Sequence, residues 1–146
     1  MITELGKLKA VMKKHPNLGY HGLWTDKLRR RKLFSQGRSY EQELAADRKD
    51  LLAHVDEFIL CKRWLNLCDQ TKRPNPRAGD SYWLKRVVEQ WARRYISEAA
   101  FISAVFDLGI PYRLCPDNRL DCARIYVALT VASVDSFPEP GGPLWS

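Results

Sequence analysis

The chain has 146 residues, 45% of them apolar and 28% charged, and a formal net charge of +7. That composition belongs to a globular domain large enough for one ordinary core, and it excludes a disordered tail. No stretch approaches the roughly 18 uninterrupted apolar residues of a membrane span, and the polar N-terminus lacks the apolar region of a signal peptide, so a cytoplasmic location and no membrane contact are expected.

The charge is unevenly placed. Residues 1–38 hold ten lysines and arginines against Glu4 and Asp26, a net +8, while residues 39–146 hold fourteen basic and fifteen acidic residues, a net −1. An excess confined to one segment points to an anionic partner: DNA or RNA, or an acidic protein surface.

In chain order, Leu5, Leu8, Val11 and Met12 make a helical stripe over Thr3–His15 that ends before Pro16. Residues 17–22 read as a loop with two glycines. Thr25 or Asp26 can cap a short basic helix that runs to about Phe34 and breaks at Gly37. Ser39 with Gln42 three residues on is a capping box, and no Pro or Gly interrupts residues 39–69. One long helix is therefore expected there, with Leu44, Leu51, Val55, Phe58 and Leu65 on its apolar stripe and the more deeply buried half beyond residue 58.

Pro74 and Pro76 make residues 71–79 a connector. Asp80 or Ser81 caps a helix whose apolar face carries Leu84, Val87, Val88, Trp91 and Tyr95. Ser97 caps the next, with Glu98 near its positive end, Ala99, Ala100 and Ala104 permitting close packing, and Gly109 past its end. Residues 110–124 read as a loop, with a short strand at 111–114 as the alternative. Residues 124–134 suit a helix or a short hairpin equally, and the tail from 136 is irregular. The expected fold is mainly α: a single-domain helical bundle around the helix at 39–69, with a basic segment at 1–38, a helical core at 39–135 and a tail at 136–146.

Ser81-Tyr82-x-Leu84-Lys85-x-x-x-Glu89, followed by Tyr95-Ile96-Ser97-x-x-Ala100-Phe101-Ile102-x-Ala104 and Leu108-Gly109, resembles a group of small proteins carried on plasmids, phages and other mobile elements of proteobacteria. Phe58 to Asn75 is similar to the same group. The resemblance covers roughly a third of the chain and implies a mobile-element setting, with Tyr82, Lys85, Glu89 and Ser97 as the motif surface.

Catalytic chemistry is weakly marked. Cys61 and Cys68, and again Cys115 and Cys122, are seven apart, a spacing that is not a zinc signature, so the four read as reduced structural thiols and no metal or cofactor is expected. His15, His21 and His54 are dispersed. Lys85 and Glu89 form an i,i+4 pair, and an enzyme built on Tyr82, Lys85 and Glu89 requires those side chains to converge in a pocket. The leading expectation is a non-enzymatic binding protein that contacts nucleic acid, largely without sequence specificity, through Lys27, Arg29, Arg30, Arg31, Lys32 and Arg38. Trp24 and Phe34 lie beside that run as stackable aromatics. The alternative is an interaction module or inhibitor docking on an acidic partner.

Overall fold

The computed structural model describes residues 2–28, 39–116 and 121–136. Helix α1 (Glu4–Lys14) is capped by Thr3, whose hydroxyl accepts from Gly6 N. The expected loop that follows is instead a tight antiparallel pair, β1 (Leu18–Gly19) and β2 (Gly22–Trp24), with Leu18 opposite Leu23. Strands this short are stable only because β2 also pairs with β4 (Cys122–Ala123) about a hundred residues on, in the order β1-β2-β4. That partner is invisible to local pattern. Residues 26–28 begin a helical turn, where Leu28 N donates to Thr25 Oγ1. The rest of the expected basic helix, with Arg29, Arg30, Arg31 and Lys32, lies outside the described residues, as does Arg38.

The single long helix does not form. Its start is as expected, with Ser39 accepting from Gln42 N and Gln42 accepting from Ser39 N, but the element divides into α2 (Tyr40–Ala53) and α3 (Val55–Leu67). The break centres on the side chain of His54. The ring Nδ1 of His54 lies 2.7 Å from the carbonyl of Asp50, the acceptor that a regular helix reserves for the amide of residue 54. That amide donates instead to Leu51 O, and His54 leaves helical geometry at φ −111°, ψ 37°. The displaced ring stacks on Tyr20, with centroids 4.3 Å apart.

After a 3₁₀ turn at Pro76–Ala78, Asp80 caps α4 (Ser81–Ala92) and Ser97 caps α5 (Glu98–Leu108), which ends on Gly109 at φ +69°. Strand β3 (Tyr112–Leu114) pairs antiparallel with β5 (Ile125–Val127), and α6 (Val131–Ser136) follows, so the ambiguous C-terminal stretch is strand first and helix second.

The core centres on α3 against α5. Phe58, Cys61 and Trp64 of α3 face the alanines of α5 and Phe101, all fully buried. Leu8, Val11 and Met12 of α1 and Leu18 and Leu23 of the hairpin belong to the same core, so residues 2–28 are built into the body. Lys62 of α3 locks α1 and α5 onto it, with Nζ 2.7 Å from both Glu4 and Asp107. Burial disfavours its charge, but the two carboxylates outweigh burial and hold its pKa above that of an ordinary lysine.

Candidate functional site

Two residues of α2 position the hairpin. Arg48 donates to the carbonyls of Met12, His15, Pro16 and Leu18, satisfying the end of α1 and the turn after it. Asp47, only 5% exposed, accepts at Oδ2 from His21 N at 3.0 Å and Trp24 Nε1 at 2.8 Å. Its Oδ1 lies 2.5 Å from His21 Nδ1. Gly19 is required beside it, because a Cβ there would sit 2.3 Å from Asp47 Oδ2.

The docked hairpin tip completes a pocket of about 210 Å³ lined by Tyr20, His21, Tyr82, Lys85, Tyr95 and Glu98. Lys85 is largely buried, with Nζ 2.7 Å from Glu89 Oε1 and over the rings of Tyr95 (4.7 Å) and Tyr82 (5.5 Å). Both rings are accessible, at 60% and 40%, so Tyr95 is not the core residue its helical stripe implied. Tyr82 also has the guanidinium of Arg124 at 4.8 Å, which in turn pairs with Asp80. Tyr82 and Lys85 therefore meet in the pocket, while Glu89 is not part of its lining and reaches it only as the ion-pair partner of Lys85. Ser97 stands apart from them: it is 1% exposed, its hydroxyl caps α5, and its amide donates to Glu57 Oε1 at 2.7 Å.

One carboxyl, Glu98, lines the pocket, and a second, Glu57, lies behind Tyr20. Glu57, buried at 2%, accepts from Tyr20 Oη at 3.0 Å, and burial together with this carboxylate drives the Tyr20 hydroxyl to a strongly raised pKa. Glu98 accepts from Ser81 Oγ at 2.6 Å, and Ser81 in turn accepts from Ile125 N. Burial raises the Glu98 pKa, and the Ser81 bond only partly offsets it.

Elsewhere, Lys27 is exposed on its turn, as are Lys9, Lys13 and Lys14 on α1. The four cysteines form no disulfide; burial pushes Cys68 and Cys122 up to about 12 and Cys61 well above the usual thiol value, so none is an activated nucleophile. Among the described residues no group of three His, Cys, Asp or Glu could hold a metal ion, and no helix is long and apolar enough to cross a membrane.

Sequence reasoning found Tyr82 and Lys85 of the pocket, with Glu89 behind Lys85, through the motif and missed Tyr20, His21, Asp47 and Glu98. His21 and Asp47 are 26 positions apart, and no periodicity links a hairpin tip to a helix face. Asp47 follows Ala45 and Ala46 and precedes Arg48 and Lys49, and nothing in that local pattern marks it as buried. No family model, curated protein or solved structure matches the chain.

Proposed function

We propose that the protein is a nucleic-acid-binding protein of mobile-element origin whose cationic N-terminal segment, Lys27 with Arg29, Arg30, Arg31, Lys32 and Arg38, makes largely sequence-independent contact with phosphates. The observation that supports this reading is how the acids of the body are used. Asp47 and Glu57 lie where residues 2–28 cross the helices, and their oxygens take the N–H and O–H groups of His21, Trp24, Tyr20 and Ser97. The exposed Lys9, Lys13 and Lys14 have no ion pair among the described residues. These three lysines of α1 are thus open to a polyanion. Filter binding of mixed-sequence oligonucleotides between 50 and 200 mM salt tests it. Affinity is expected to fall on the order of tenfold or more, and changing Arg29, Arg30 and Arg31 together to alanine to flatten the log–log slope by about 2. Binding indifferent to salt overturns the reading.

A second reading, an acidic protein partner, draws on the groove of about 610 Å³ between α1 and α2. Met12, Leu44 and Leu52 give it an apolar floor, and Lys9, Lys13 and Lys49 stand around it against the single acid Glu41. An amphipathic helix with an acidic flank matches both features. A synthetic helix with leucines on one face and glutamates beside them should bind, and Lys9, Lys13 and Lys49→Glu together should weaken it by about tenfold or more, worth about 1.4 kcal/mol. Equal affinity for the triple variant removes this reading.

A further inference from the structure

We propose that the pocket beneath the hairpin is an RNA-cleaving site, with His21 as general base, Glu98 as general acid and Lys85 as the fixed cation; this rests on the nucleic-acid reading. The starting point is an asymmetry of burial. The His21 side chain is 76% exposed, while the carboxylate that grips it is 5% exposed. An exposed imidazole gains little stability by being held, and the hairpin is already tied to Asp47 through His21 N and Trp24 Nε1. What the ring contact does is fix the imidazole. A carboxylate at Nδ1 keeps the ring proton there and leaves Nε2 as an acceptor directed away from Asp47, the arrangement that makes histidine a base. Asp47 is the positioning residue in this scheme.

The rest of the pocket supplies what a base alone lacks. Glu98 lies in the same lining, and burial lets it keep its proton to higher pH than an exposed carboxyl. Lys85 is a cation held in place by Glu89 and two tyrosine rings, at the wall where charge on a reacting group would develop. His54 stacks on Tyr20, whose hydroxyl is bonded to Glu57, so those neighbours are engaged and do not compete for the reacting proton.

The lining contains no serine, threonine or cysteine, Lys85 is held by Glu89 and Tyr20 by Glu57, and a substrate that brings its own nucleophile suits such a site. RNA does: its 2′-hydroxyl sits beside the phosphodiester. His21 Nε2 takes the 2′-hydroxyl proton as the 2′ oxygen forms a bond to phosphorus. The bond from phosphorus to the 5′ oxygen breaks, and that oxygen receives the proton of Glu98. The products are a 2′,3′-cyclic phosphate and a 5′-hydroxyl, with no further reactant consumed. The accessible rings of Tyr82 and Tyr95 offer stacking faces to unpaired bases.

The test is incubation of the full chain with end-labelled single-stranded RNA and with DNA of the same sequence. Both are expected to bind, with only RNA cut and its new ends carrying cyclic phosphate. His21→Ala, on an exposed ring, should keep affinity within about twofold and slow cleavage at least a hundredfold. Asp47→Asn, assayed well below its own melting temperature, should lower kcat with KM unchanged; a purely structural role would move binding and folding together. RNA bound but uncut overturns the catalytic site and leaves the binding function standing. Cleavage that His21→Ala preserves also overturns it. Failure to bind either polymer overturns both.

Discussion

Replacing Asp47 with alanine is expected to lower the free energy of unfolding by about 3–5 kcal/mol. The change removes the acceptor for three donors at once, and two of them, His21 N and Trp24 Nε1, are held on the one inward oxygen. Each buried donor left without a partner costs about 1–3 kcal/mol, because it keeps its desolvation and loses its bond. The void that opens is a second loss, since Gly19 packs directly against the missing carboxylate. Urea unfolding followed by circular dichroism measures the total. Asp50, exposed one turn along the same helix, is the control: Asp50→Ala should change stability by less than about 0.5 kcal/mol. Equal effects at the two positions would mean that the carboxylate of Asp47 holds nothing in place.

The parts of this fold legible in the sequence are those decided within one turn of helix. Ser39 with Gln42, Asp80, Ser97 and Gly109 each sit at the terminus their chemistry specifies, because capping is a bond between residues two or three apart. The break at His54 was illegible for the complementary reason. No Gly or Pro marks it, and the imidazole that takes the carbonyl of Asp50 is drawn away by Tyr20, 34 positions upstream. The hairpin at 18–24 depends likewise on Ala123 and Cys122. The same division runs through the site. A motif confined to α4 placed Tyr82, Lys85 and Glu89 together, since spacings of 3 and 4 share a face. The opposite wall, Tyr20 and His21, reaches the pocket only because Asp47 and Glu57 pull the hairpin down onto α2 and α3.

Charge has to be read in the same two steps. The sequence counts ten cations in residues 1–38 and offers Asp47, Asp50 and Glu57 as acids that could neutralise them. Folding assigns Asp47 and Glu57 to amide, indole, imidazole and phenol groups, while Asp50 stays exposed. The inward half of the segment thus uses the acids for structure and leaves its lysines on the surface. One stretch of sequence provides a wall of the pocket and carries the chain's excess of formal positive charge. The field would bring a polyanion close to the site that the hairpin builds.

Glu57 makes this coupling measurable, and Glu57→Ala is expected to cost about 3–5 kcal/mol. Its side chain is 2% exposed and joins three elements: Oε1 accepts from the amide of Ser97 at the start of α5, Oε2 from Tyr20 Oη beside the hairpin, and the residue itself belongs to α3. Bonds from neutral donors to a buried carboxylate are worth about 1.5–3 kcal/mol each, and the Ser97 amide would remain buried without a partner after truncation. Tyr20→Phe removes one bond and leaves an oxygen that still holds Ser97, so its cost is set at about 1–2 kcal/mol. In the Glu57→Ala background the same change should cost almost nothing. A double-mutant cycle by urea unfolding reads the coupling directly, and additive losses would show that the phenol and the carboxylate act independently.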